Sequence, residues 1–593
     1  MKLKRSLLTI ALSSSLALGF SCTKKKEQEG SAVMSNEPKI KVFNHRRTSA
    51  ERSLDPMRQF DDASSQVVSS LFDTLLEYHY LKRPFELVPA LLTEMPIQQK
   101  DKVTYLLKLR KGVFFHDDPA FPNGKGREMN ADDVIYSYKR FADINVNQLS
   151  YTLFKGYVVG MDEFREATKK AGKNTDYDKL DIEGLKKIDD YTLSIKFSFE
   201  NPLAFYPMAS AQMSIVPREA VEKYGEDFQN NPVGTGPFYM KEYSRRGTHV
   251  LAKNPKYFQK FPDDGMPGDK EAGRLDDAGR PLPLVDEVHL PLIEEAQPAM
   301  LKFKKGELHW IRINKDDFNT MAKKTENGFE LRGKWAEDVK LETEPAITTE
   351  YMKFNMEDPI VGKNKALRQA MALAIDVNGF IDLMHNGRGI PSESIVPLPI
   401  YGSAKDSGAQ WYKQNLELAK EKLKEAGFPG GKGAPEITVE YRSTAKIVRQ
   451  QFEYFRNQWA QIGLNVKANF QTFSSFLQRT EAGNFQVANA GWQADYPDAE
   501  NFYQLLYSKN KAPGPNDGNF NNARFDELYE KIRFMENSPE RLKLMKEMNE
   551  IVKEEVPVLL IYNRIEFEMF RKSVENSQYH LMENYPYKYF DLK

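Results

Sequence analysis

Residues 484–501 read NFQVANAGWQADYPDAEN, and they decide the fold because they close a strand–helix–strand series. Phe485, Val487 and Asn489 alternate with Gln486, Ala488 and Ala490, which is the two-residue period of an extended segment. Asp495-Tyr496-Pro497-Asp498 then carries the chemistry of a turn. A helix is expected from Ala499, with Asp498 as its N-cap and Glu500 in the first turn, where the helix dipole favours a negative charge. Just upstream, Ile437, Val439 and Tyr441 predict a strand, 445–462 a helix and 464–470 another strand. That alternation argues for an α/β lobe. Ligands in α/β folds sit at the carboxyl ends of strands, so the loop carrying Trp492 and Asp495 is a candidate site.

Outward from this stretch the chain mixes strands and helices with no internal repeat. Residues 63–76 predict a helix with Val67, Val68, Leu71, Phe72 and Leu75 on one face and Asp61 or Asp62 as its cap. Residues 87–92, with Pro89, read as a turn. A second early helix is capped near Asn130, and 103–109, 191–199 and 558–563 read as strands. Gly234 and Gly236 belong to no phosphate-binding pattern and suit tight turns. Residues 259–283 are rich in Gly, Pro and Asp and predict a long surface loop.

The N-terminus sets the location. Lys2, Lys4 and Arg5 precede an apolar run from Leu7 to Phe20, the length of a signal-peptide core and short for a membrane span. Cys22, the single cysteine, follows directly and resembles the lipidated cysteine of a bacterial lipobox, although Gly19 stands where that pattern has leucine. The alternative is an ordinary signal peptide with an incidental Cys22. Residues 23–38 are polar and charged, as a flexible tether is, and Lys24-Lys25-Lys26 either keep it soluble or touch anionic headgroups. The expected mature protein is exported and held to a membrane by a lipid.

Composition excludes more than it selects. Basic and acidic residues balance at 84 each, and losing the leader tips the remainder slightly acidic, so nucleic acid is not an expected partner. There is no HExxH, CxxC, GxSxG or EF-hand pattern, and the eight histidines are scattered. His116-Asp117-Asp118 could ligate a metal, but a solvated turn accounts for them better. No metal, cofactor or catalytic residue is therefore expected, although carboxylate-based hydrolysis stays open. Asp495 on residue type alone reads as a turn aspartate, and Trp492 as core.

Five segments in order resemble the family 5 extracellular solute-binding proteins, the oligopeptide- and dipeptide-binding receptors of ABC importers. They are SLDPMRQFDDASSQVVSSLFDTLLEY, LRKGVFFHDD with NADDVIYSYKRF, NPVGTGPFYMKEYSRRGTHVLAKNPKYF, NKALRQAMALAIDVNGFID and VANAGWQADYPDAENF. The resemblance implies a bilobal periplasmic-binding-protein fold with three domains and a hinged ligand cleft. After a leader at 1–21 and a tether at 22–37, it implies domain I at 38–80, 218–346 and 558–593, domain II at 81–217 and domain III at 347–557. The implied partners are a peptide ligand, an ABC permease and its ATPase subunits, with the chain a monomer. Trp492, Ala494, Asp495 and Tyr496 match the family's W-x-A-D-Y loop, whose aspartate pairs with a peptide's α-ammonium. The resemblance thus gives Asp495 that role, with Trp492 and Tyr496 beside it. Asn489 stands where some oligopeptide receptors carry arginine for the peptide carboxylate, so that contact is not expected. The same scaffold also takes oligosaccharides or metal chelates, and a secreted hydrolase is a further reading.

Overall fold

A computed structural model describes residues 40–593 except 60, 147–150, 152–153, 327 and 584. The leader, Cys22 and the tether lie outside the described residues.

The strand–helix–strand series is present. Ile437–Tyr441 and Val466–Phe470 pair in parallel, with the helix Lys446–Ala460 between them. Phe452, Phe455 and Trp459 bury one face of that helix, three and four residues apart as a single apolar stripe requires. Val487–Gln493 lies parallel to Ile437–Tyr441 and antiparallel to Thr348–Phe354. It is therefore a central strand, and Val487, Ala488 and Ala490 are all buried. The expected alternation of an inner and an outer face does not hold, because both faces are covered. A Cβ at Gly491 would lie 2.5 Å from the Glu350 carboxylate on the neighbouring strand, so a larger residue there would have to displace that side chain.

This sheet has eight strands. The long strand Val558–Arg571 pairs with four of the others. Its first half pairs with Thr348–Phe354, and its second half with Val339–Pro345 and Trp310–Arg312. A separate four-stranded sheet runs Val42–Asn44, Glu287–Pro291, Thr248–Lys253, Phe238–Glu242, and another joins Ile97–Gln98, Thr104–Lys108, Thr192–Lys196 and Leu185–Asp189. Two large hydrophobic cores result. One gathers residues from Phe43 to Leu290 with the C-terminal aromatics Tyr587, Tyr589 and Phe590, and the other gathers Ile347 to Tyr562. The architecture is a multidomain α/β one.

Several local expectations need correction. The first helix is Asp62–Leu71, shorter than 63–76, because Phe72 turns extended and Leu76 opens a strand. That strand, Leu76–Tyr78, pairs with Leu87–Pro89, so the segment read as a turn is an edge strand whose proline needs no ladder donor. Asp61 is the cap, accepting from the Ser64 N–H at 2.9 Å. Gly234 and Gly236 serve close approach: a Cβ would come within 2.2 Å and 2.4 Å of the backbone of Leu71. His116 is not in a solvated turn. It is buried, with Nε2 3.0 Å from the Gly236 carbonyl oxygen, and burial pushes its pKa down to about 4. No group able to hold a metal occurs among the described residues.

Candidate functional site

The loop after Val487–Gln493 opens onto a cavity of about 240 Å³. Five separate pieces of chain meet there, one of them contributing only Pro237. The end of the helix Asp62–Leu71 and the residues after it form one wall, the turns at 206–214 a second, Gln493 to Tyr496 a third, and residues 581–588 the fourth. A crevice walled by distant segments, at the carboxyl end of a strand, is where ligands bind in such folds.

Asp495 faces this cavity. Its position is fixed by Asn501, which is fully buried. The Asn501 Oδ1 accepts from the Trp492 Nε1–H at 2.8 Å and from the Asp495 backbone N–H at 3.0 Å. With its oxygen so occupied, the amide must turn its Nδ2 toward Asp495, donating to Oδ2 at 3.0 Å. The Asp495 side chain is exposed toward the cavity, with a large mass of protein around the site. That desolvation raises its pKa above the ordinary value of 3.8, against a weaker pull from the Asn501 hydrogen bond. No basic side chain forms an ion pair with Asp495 among the described residues. The geometry leaves a positioned anion with capacity to accept more hydrogen bonds.

The other three candidates are placed differently. Tyr496 lines the cavity, and its ring stacks on Tyr206 with centroids 5.7 Å apart and planes 9° from parallel. Its hydroxyl donates to Glu500, a buried carboxyl that also receives the Tyr529 hydroxyl. Glu500 is thus more than a first-turn charge, and burial raises its pKa despite both phenols. Trp492 does not line the cavity. It is half-buried against the second core and anchors Asn501. Asn489 lies in mid-strand opposite Met352, also away from the cavity lining.

Asp498 takes a different place from the one expected. It accepts from the Glu500 N–H at 2.8 Å, as a capping side chain would, but the short helix begins at Glu500 with Ala499 as its cap residue. Its chief partner is Arg541 on the helix Pro539–Glu555: the guanidinium donates to both carboxylate oxygens at 2.6 Å and 2.7 Å, with both residues buried. This bidentate pair clamps the base of the Asp495 loop.

Sequence reasoning missed the rest of the lining. Asp73, Glu77, Glu583 and Lys588 all reach the cavity. Asp73 accepts from the Thr235 hydroxyl at 2.8 Å and the Tyr257 hydroxyl at 3.0 Å, and burial pushes its pKa up to about 6. Lys588 Nζ donates to Glu77 at 2.7 Å and to the Gln259 side-chain oxygen at 2.8 Å. Burial alone would lower the lysine's pKa, but Glu77, Tyr257, Glu583 and Asp73 outweigh it. Asp73 and Glu77 stand inside the DASSQVVSSLFDTLLEY segment, where their polar positions near a helix end signalled nothing special. Glu583 and Lys588 belong to a C-terminal stretch without periodicity.

Comparison with known proteins assigns these features a family. The family described as bacterial extracellular solute-binding proteins, family 5 Middle, matches residues 86–514. The dipeptide-binding protein of Escherichia coli K12 is 26% identical, over 87% of this chain and 87% of its own. Heme-binding protein A of Haemophilus influenzae is also 26% identical, over 85% of this chain and 83% of its own. The periplasmic binding protein DppA of Helicobacter pylori, solved in complex with the peptide STSA, superposes with a TM-score of 0.69 at 21% identity, covering 93% of this chain and 98% of that one.

Proposed function

The chain belongs to the family 5 bacterial extracellular solute-binding proteins, and from that premise we propose that it captures peptides in the Asp495 cavity and delivers them to an ABC permease. The observation that carries this reading is the Asp495 carboxylate without an ion-pair partner, held by Asn501 and facing a cavity walled by five chain segments. A carboxylate in a closing cleft is costly without a counterion. A peptide's α-ammonium supplies one and selects for a free N-terminus, while the peptide backbone is free to pair in the manner of strand addition. No helix among the described residues is long and apolar enough to cross a membrane.

The domain scheme belongs to the same reading. The hinge is placed where two neighbouring strand paths pass from one core to the other. These are Val339–Pro345 continuing into Thr348–Phe354, and the long strand Val558–Arg571 beside them, whose far halves pack in a smaller cluster with Phe303, Ile311 and Phe318 rather than in the second core. The Ala346 N–H bonds the Arg564 carbonyl at 2.8 Å at that crossing. Closure would be driven by tighter binding of ligand to the closed state. The reading has the protein act as a monomer that binds without turnover, anchored by a lipid on Cys22.

Native mass spectrometry of the protein purified from membranes tests the proposal. A ladder of bound peptides, on a mature chain beginning at Cys22 with added acyl mass, is the expected result. A single haem, sugar or metal complex would overturn the peptide reading, and an unmodified N-terminus would overturn the anchor.

A further inference from the structure

One part of the cavity carries more negative charge than a single ammonium offsets. Asp73, Glu77 and Glu583 line it together with Asp495, and Lys588 is the one basic side chain on the lining among the described residues. That lysine is committed to Glu77 and Gln259. Asp73 is held by neutral hydroxyls only. Two residues of the lining each bury a polar atom that has no hydrogen-bond partner: Glu583 its Oε2, and Ser70, 1% exposed, its hydroxyl. Enclosed polar atoms without partners are rare in folded proteins, and an anionic one is costly. Burial correspondingly raises the Glu583 pKa, only partly countered by Lys588.

We propose that these groups form a second cation subsite, so that the preferred ligand is a short peptide carrying a lysine or arginine side chain in addition to its α-ammonium. The inference rests on the peptide reading of the same cavity. An ammonium or guanidinium brings several donors and one positive charge, which matches an unpartnered carboxylate oxygen, an unpartnered hydroxyl and a second carboxylate nearby. A cavity of about 240 Å³ lies below the roughly 300–1,000 Å³ common for small-molecule sites, so the two charges sit within a few residues of each other. The same lining repels anionic ligands, whose carboxylates would face acids with one committed lysine between them.

Calorimetry on the full mature chain, freed of copurified ligand and kept folded, tests the subsite. The probes are Lys-Ala-Ala, Ala-Lys-Ala and Ala-Ala-Lys, each against its norleucine counterpart at one ionic strength. In at least one pair the lysine peptide should bind roughly tenfold tighter or more, and Glu583→Gln should erase that gap. The norleucine comparison uses wild-type protein and so does not depend on the variant folding. Equal affinities in all three pairs would overturn the subsite and leave the peptide reading standing. Absence of binding by all six peptides would overturn both.

Discussion

Asp495 shows how neighbours set the position of one side chain. Its carboxylate is ordinary chemistry, but Asn501 fixes it and Trp492 fixes Asn501. The aspartate was legible in the sequence because turn chemistry follows a strand end there. The asparagine was not, since Asn501 lies six positions on, past a turn and inside the following short helix. Asp73 carries the clearest energetic consequence. Its carboxyl is raised to about 6 from an ordinary 3.8 by burial. The folded state therefore holds a proton between about pH 4 and 6 that the unfolded chain releases, and stability falls as pH rises through that window. Asp73→Asn removes the titration and keeps an oxygen for one of the two hydroxyls. At pH 7 the variant should be more stable in urea by about 1–3 kcal/mol, with the gap closing by pH 4. An unchanged or lowered stability at pH 7 would reject the assignment. If stability is gained in this way, the native aspartate is kept for the ligand at a cost to the fold.

Among the secondary-structure elements, the loop of Asp495 depends on the helix Pro539–Glu555 through the Asp498–Arg541 pair. Removing one partner leaves a buried charge, so Asp498→Ala should cost about 3–5 kcal/mol in equilibrium unfolding. The double replacement Asp498→Leu with Arg541→Met should recover most of that loss. A single variant of wild-type stability would show that the pair is not holding the loop. Elements with strong local signals were readable: Asn130 caps the helix Ala131–Ala142 with a reciprocal capping box, as its position foretold. Elements that depend on distant partners were not. The strand Val558–Arg571 runs eight residues past its expected end at Asn563, because the charges that looked like a terminus find partners across the sheet. Glu568, for example, is buried and accepts from the Trp310 indole N–H and the Arg312 guanidinium, both at 2.7 Å. Leu87–Pro89 was hidden for the same reason, since its pairing with Leu76–Tyr78 overrides the turn signal of Pro89.

Over the whole molecule, the cavity exists because segments far apart in sequence converge. Residues near 70, 210, 495 and 585 share one lining, and stacking of Tyr206 on Tyr496 brings two of these walls into contact. The α/β class followed from the strand–helix–strand series alone, whereas the multidomain arrangement followed from the family resemblance. The acidic end of the cavity followed from neither, because convergence in space leaves no pattern along the chain. The central claim is that Asp495 receives a ligand's terminal ammonium. The most direct test is calorimetric affinity of the wild-type protein for one tripeptide with its N-terminus free and with it acetylated. Acetylation should weaken binding by on the order of 2–5 kcal/mol, the loss expected when a buried charge pair is broken. Equal affinity for the two forms would contradict the role given to Asp495.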